Sequence, residues 1–331
     1  MKKILVIAFV SIFIFNSCKD ESNPLIIDSG FIFNEQTSGT TNNLYGVSFT
    51  GTNIGTVVGN IGTILRTRNG GATWTIQTSG KTVPLYSVCF TDTANGTAVG
   101  GTGTILKTTD GGATWNAQTS GTIKFLSAVS FVDTNNGTAV GEGGTILRTT
   151  NSGTTWVTQI SGTKFNLRGV FFTDTNTGTA VGDSGKIFRT IDGGTNWTVQ
   201  NSGTTDSLSK VIFTSANNGI VVGGTSLSCT TLRTTDGGTT WTDQTGATSG
   251  YYLYGVSFTD AFTGTAVGYN GTILRTTNGG SSWSNRQPIT LLYQPTLKII
   301  HLFGVYFSDA NTGTAVGANG VILRTTNGGT K

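Results

Sequence analysis

The stretch Gly96-Thr-Ala-Val-Gly100-Gly-Thr-Gly-Thr-Ile105-Leu-Lys-Thr-Thr-Asp110-Gly-Gly-Ala-Thr-Trp115 decides the fold. Two short runs of apolar and β-branched residues, Gly96 to Gly100 and Gly103 to Thr108, are separated by glycine. Asp110-Gly111-Gly112 is turn chemistry, and a further strand opens at Trp115. A fourth strand precedes them. Its pattern Leu-Tyr-Gly-Val-Ser-Phe at 44–49 returns at Leu85–Phe90, Leu126–Phe131, Leu167–Phe172, Leu208–Phe213, Leu253–Phe258 and Leu302–Phe307. The tryptophans Trp74, Trp115, Trp156, Trp197, Trp241 and Trp283 are spaced by 41, 41, 41, 44 and 42 residues. Four short strands in each such repeat make a propeller blade.

The seventh turn, Thr326-Asn327-Gly328-Gly329, falls where the chain stops, so its blade lacks a fourth strand there. The N-terminal side supplies one. Asp28-Ser29-Gly30-Phe31-Ile32-Phe33 aligns with Asp110 to Trp115, and Gln36-Thr37-Ser38-Gly39 aligns with Gln77 to Gly80. Residues 31–36 are therefore expected beside the last blade's third strand, removing an open edge. The prediction is an all-β, seven-bladed β-propeller over residues 31–331. Its blades are four-stranded and antiparallel, and an N-terminal strand in the last blade closes the ring.

The composition fits. There are 49 glycines, 4 prolines and only 11% charged residues in 331. Met1-Lys2-Lys3 and the apolar run from Ile4 to Phe15 read as a secretory signal, too short to span a bilayer. Phe15-Asn16-Ser17-Cys18 resembles a bacterial lipobox. The expectation is a lipoprotein signal peptide at 1–17, lipidation of Cys18 and a lipidated tether at 18–30. Cys18-Lys19-Asp20-Glu21 further resembles a tag for the outer face of the outer membrane. Without Lys2 and Lys3 the balance is 18 basic against 16 acidic residues, or +2, too small to point to nucleic acid. Cys89 and Cys229 fall in repeats on opposite sides of the ring, so no disulfide between them is expected.

The turn pattern Thr-Asx-x-Gly-x-x-Trp resembles the Asp-box, or BNR, repeat. Its acceptor positions are Asn69, Asp110, Asn151, Asp192, Asp236, Asn278 and Asn327. Asn and Asp interchange, so each needs a short hydrogen-bond acceptor rather than a charge, which argues for structure and against metal sites or catalytic acids. Three places before each stands Arg66, Lys107, Arg148, Arg189, Arg233, Arg275 or Arg324. Such a ring could bind an acidic partner. Alternatively each head meets a carboxylate in the turn after the first strand: Asp92, Asp133, Asp174, Asp260 or Asp309.

Ligands are expected on the face carrying the second-to-third-strand turns and the interblade links, or in the central channel. The links there carry Lys81, Lys124, Lys164, Arg168 and Lys210, with Tyr251, Tyr252 and Tyr254 after blade five. The longest link runs from Arg286 through Tyr293 and Lys298 to His301, the only histidine. It is a candidate partner contact, or else a cover for the ring seam.

With Arg-Thr-Thr-Asp-Gly-Gly-x-x-Trp strings in its blades, the chain resembles the photosystem II stability and assembly factor family and its relatives in non-photosynthetic bacteria. That resemblance implies a non-catalytic scaffold holding a membrane-protein intermediate, with basic propeller residues, Arg66 and Arg233 among them, contributing to binding. The expected partner is an envelope or membrane protein, in a membrane-anchored extracytoplasmic setting. One alternative is a cell-surface carbohydrate-binding module, with the tyrosines stacking on sugar rings and polysaccharide as the partner. The other is an Asp-box glycoside hydrolase. Its sole carboxylate pair on the binding face would be Glu142 and Asp183, in a chain with only Glu21, Glu35 and Glu142 as glutamates. No nucleotide loop, metal-ligand cluster or Ser/His/Asp constellation is visible, so no cofactor, metal or catalytic residue is expected.

Overall fold

The computed structural model describes residues 25–26, 33–246, 251–286, 290–293 and 296–328, with backbone alone for 25–26, 286, 290–293 and 296–299. The described residues form seven four-stranded antiparallel sheets, each with its strands in sequence order except the last. There, Leu302–Phe307, Gly313–Gly317 and Ile322–Thr325 are completed by Asn34–Gln36. The predicted closure is thus present, with Asn34, Glu35 and Gln36 paired to Arg324, Leu323 and Ile322. Residues 31 and 32 lie outside the described set.

Each blade presents its apolar side chains to the next blade, and the core lies in these interfaces. Val58 and Ile64 of blade one pack against Leu85, Val88, Ala98 and Leu106 of blade two. Leu44, Val57 and Leu65 meet Val316 and Ile322 across the seam. Neither face of a blade can be buried alone, so stability comes from stacking the repeats into a ring.

The repeated residues build those interfaces. The phenylalanine ending each first strand lies over the glycine opening the second. A Cβ at Gly55 would sit 2.4 Å from the Phe49 ring, and one at Gly137 would sit 2.4 Å from Phe131. The box tryptophan meets the same ring edge-on, as Trp115 meets Phe90 at 6.0 Å and 88°. The third-strand arginine reaches across to the next blade. Arg148 lies over Phe172 at 4.7 Å, donates to Thr138 Oγ1 at 2.9 Å and donates to the Thr175 carbonyl at 2.7 Å. Arg66 over Phe90, Arg275 over Phe307 and Arg324 over Phe49 repeat this contact. These heads therefore do not hydrogen-bond the aspartates of the first turn, as was one expectation. Asp92 and Asp133 accept backbone N–H bonds of their own turns instead, and these Arg heads donate to turn carbonyls of the next blade.

The box acceptors behave as expected from the Asn/Asp interchange. Asp110 Oδ1 accepts from Thr108 Oγ1 at 2.8 Å and from the Thr114 N–H at 2.9 Å, and Asn69 Oδ1 does the same with Thr67 and Thr73. Hydrogen bonds from the Thr114 hydroxyl and N–H hold the Asp110 carboxyl down to about 2. Gly112 follows at φ +85°, where a Cβ would meet the Gln77 amide at 2.4 Å. The box turn also donates to the first-to-second-strand turn, as Gly111 N does to the Ala94 carbonyl at 2.9 Å, so the two turns share a face as predicted.

Two local departures matter. Arg168 and Lys210 belong to the inner strands Leu167–Phe172 and Ser207–Phe213, not to links. The long link contains a hairpin, Thr290–Tyr293 with Thr296–Ile299, to which Leu25–Ile26 adds a third strand. Neither Cys89 nor Cys229 is in a disulfide.

Arg148→Met should lower the unfolding free energy by about 2–3 kcal/mol, because the Thr175 carbonyl loses its charged donor. Denaturant midpoints measure this, and an unchanged midpoint would refute the staple role. Asp110→Asn should leave the thermal midpoint in place, whereas Asp110→Ala should lower it. Equal midpoints for the two would show that the acceptor does nothing.

Candidate functional site

Every first strand carries a register shift at its second residue, between Leu44 and Gly46 in blade one and at the same point in the other six. A bulge of this kind frees one residue from the ladder and re-aims its side chain. The seven residues are Tyr45, Tyr86, Ser127, Arg168, Ser209, Tyr254 and Phe303, and all line the central channel, a cavity of about 360 Å³.

Four of the seven are aromatic, and they adjoin one another. Phe125 lies 6.1 Å from Tyr86, Tyr86 5.5 Å from Tyr45, and Tyr45 5.3 Å from Phe303. Phe303 lies 5.3 Å from Tyr254, and Tyr254 4.8 Å from Tyr252. A second tier continues outward from this arc. His301 is 6.4 Å from Phe303 and stacks on Tyr269 at 4.1 Å, and Tyr269 meets Tyr251 at 5.8 Å.

The opposite arc is polar. Arg168 pairs with Asp183, which also accepts from Ser207 Oγ at 2.8 Å and Asn166 Nδ2 at 3.1 Å. Burial works against the Asp183 carboxylate, but the bonds from Arg168 and Ser207 hold its pKa below the usual range. Burial likewise opposes the Arg168 cation, and the Asp183 bond outweighs it only together with the charge interactions with Tyr252, Asp183 and Tyr254. A carboxylate held ionised in this way is an acceptor rather than a proton donor. Among the described residues, no group of three or more His, Cys, Asp or Glu side chains is placed to hold a metal.

Of the sequence-predicted site residues, Tyr251, Tyr252, Tyr254 and His301 come together on this face. Arg66 and Arg233 do not join them. Arg66 is 3% exposed, donates to the Thr93 carbonyl at 3.0 Å, and is pulled down to about 10 by burial with a contribution from Arg68. Arg233 donates Nε to the Gly279 carbonyl at 2.9 Å. Both serve the blade interfaces near the box face. The side chains of Arg286, Tyr293 and Lys298 and the whole of Cys18 lie outside the described residues. Sequence reading missed Tyr45, Tyr86, Phe303, Tyr269 and Phe125. The signal for the first three was present in the second position of the Leu-x-x-Val-x-Phe strand, where Tyr, Phe, Ser and Arg alternate.

His301 has a local duty as well. Its Nδ1 accepts the Asn270 N–H at 3.1 Å, where Asn270 sits at φ +53°. Asn43 and Asn166 do the same for the Asn319 and Gly143 N–H groups, both at 3.0 Å. At these three junctions the residue before the inner strand is thus an acceptor for the preceding blade's left-handed turn.

A family model described as photosynthesis system II assembly factor YCF48 matches residues 75–212, 202–285 and 247–331. YCF48 from Cyanidioschyzon merolae has a similar structure, with TM-score 0.69 and 19% identity over 88% of this chain and 98% of that one. A structure of YCF48 bound to D1 peptide gives TM-score 0.70 and 19% identity over 94% of this chain and 100% of that one. The GH74 enzyme of Niastella koreensis gives TM-score 0.69 and 17% identity over 88% of this chain but only 53% of its own length. At these identities the likeness is one of fold. No curated protein sequence matches the chain.

The His301 bond sets a pH dependence. Burial depresses the imidazole pKa below its ordinary value, so its contribution to stability is full above the unfolded value and is lost as pH falls through the folded one. His301→Asn should keep the link bond, as Asn43 and Asn166 do, and abolish this component of acid sensitivity. His301→Ala should lower the thermal midpoint at pH 8. An acid-limb midpoint unchanged in His301→Asn would show that the imidazole does not titrate with folding.

Proposed function

The chain belongs to the photosynthesis system II assembly factor YCF48 family, and from this we propose that it is a non-catalytic protein-binding scaffold of the cell envelope, anchored by lipid at Cys18 in the outer membrane. The observation that carries the reading is the channel mouth. An arc of adjoining aromatic rings there faces a polar arc held by Arg168 and Asp183, on the end of the propeller away from the box turns. Aromatic rings and arginine are the groups that dominate protein interfaces, because they bury large area at low entropy cost. One member of the family is described as bound to a peptide. By analogy the client here is a polypeptide segment of a membrane or envelope protein, laid across the mouth. Polysaccharide is the competing ligand, since the same rings can stack on sugars.

The test uses the mature protein with its lipid replaced by an affinity tag. Wild type and a Tyr45→Ala/Tyr254→Ala/Phe303→Ala variant are passed through detergent-solubilised envelope extract of the parent cell. The expected result is one discrete envelope protein retained by wild type and lost from a variant that keeps its fold by circular dichroism. Equal recovery by both baits would remove the mouth as the site. Retention of glycan with no protein would overturn the scaffold reading in favour of carbohydrate binding.

A further inference from the structure

The third residue of the inner strand is Gly46, Ser87, Ala128, Gly169, Gly255 or Gly304 in six blades, and Lys210 in blade five. Small residues are required because adjacent inner strands approach closely. A Cβ at Gly46 would lie 3.1 Å from the Ser87 Cα, and one at Gly169 would lie 3.0 Å from the Lys210 Cα. Blade five alone places a long cationic side chain at this level, where it lines the channel.

Among the described residues the Lys210 amine has no counter-charge, and those lining the channel include no carboxylate. The ion pair found among the described residues joins Arg168 to Asp183, which compensate each other. The group facing Lys210 electrostatically is the Cys89 thiol of blade two, across the ring, and burial keeps that thiol protonated by raising its pKa. Burial also keeps the Tyr306 phenol neutral. Beside Lys210, the Ser209 hydroxyl is buried without a hydrogen-bond partner. Burial lowers the Lys210 pKa as well, so a bound anion would both hold the ammonium charged and fill the unused Ser209 hydroxyl.

We propose that Lys210 and Ser209 make the central channel a binding site for a carboxylate, with the apolar part of the same ligand held by the aromatic arc at the mouth. One ammonium and one hydroxyl match a single negative charge. Tyr45, Phe303 and Tyr254 stand at the strand position equivalent to Ser209 and line the same channel, to receive an aromatic or aliphatic group attached to it. The inference rests on the channel mouth being the binding site and names the group that enters it. The carboxylate can come from a small acid or from a polypeptide chain end.

The test is titration calorimetry on the mature protein with two pairs of probes. One pair is 3-phenylpropionate and 3-phenylpropionamide. The other is the tripeptide acetyl-Ala-Ala-Phe as free acid and as amide. At least one acid should bind, with its amide weaker by about tenfold or more, the factor for one charged hydrogen bond. Lys210→Met should remove that preference and Lys210→Arg should retain it. Binding of the tripeptide acid alone would identify the chain end as the source, and binding of phenylpropionate alone the small acid. The amide comparison on wild type needs no variant to fold. Equal binding of acid and amide, binding of neither acid, or an undiminished preference in Lys210→Met would overturn the proposal. Capture of the same envelope protein by Lys210→Met and wild type, alongside any of those results, would leave the scaffold reading standing. Loss of capture confined to the aromatic variant would likewise separate the two.

Discussion

The ring leans on a contact repeated at four of its seven junctions, an arginine of one blade donating to a turn carbonyl of the next while its guanidinium lies on that blade's phenylalanine. The contact fixes two neighbours at once. The arginine needs its own second-strand threonine to orient it, as Arg324 uses Thr314 at 2.8 Å. The phenylalanine needs glycine beneath it and tryptophan at its edge. A small change in any of the four disturbs an interface rather than a single strand. A low-charge sequence can hold together this way, because buried guanidinium groups aimed at carbonyls need no surface ion pairs.

This arrangement assigns most of the recurrent residues to architecture. Thr, Asx, Gly, Trp, Phe and Arg at repeating positions are occupied in the ring itself, including the seven basic residues that sequence alone offered as a possible binding surface. What differs from blade to blade is left for recognition. The bulged second position carries Tyr, Tyr, Ser, Arg, Ser, Tyr and Phe in turn, and a bulge exposes that residue whatever its identity. The family likeness and the site are therefore carried by different residues: the first by the box and its partners, the second by positions that break the repeat.

The blade count, the strand order and the closing N-terminal strand were legible in the sequence, because spacing and turn chemistry determine them locally. The box acceptors were legible for the same reason, since Asn and Asp exchange at a site that needs only an acceptor. The partners of the basic residues were not. The Arg148 guanidinium, near Asp133 of its own blade, instead takes the Thr175 carbonyl of the next blade, a choice set by interblade geometry that has no sequence signature. Phe303 and Tyr45 were missed for a related reason. They are more than 250 positions apart, and only closure of the ring makes them neighbours.

That closure ties the site to the seam. The Tyr45–Phe303 contact joins blade one to blade seven, the two blades that meet where the chain begins and ends. Beneath it, Phe49 stacks on Tyr306 at 5.9 Å, and Arg324 donates to the Thr52 carbonyl at 2.7 Å. The N-terminal strand adds a second bond across the same junction, with Gln36 accepting from Trp74 Nε1 at 3.1 Å while its backbone pairs with blade seven. From that strand the chain runs through residues 37–43 into blade one, as the links between the other blades do. Within blade seven, the strand is held to Ile322–Thr325 by its ladder and not by a connecting turn. The aromatic arc is therefore complete only in the closed ring, and whatever loosens the N-terminal strand opens the binding face at its centre rather than at its margin.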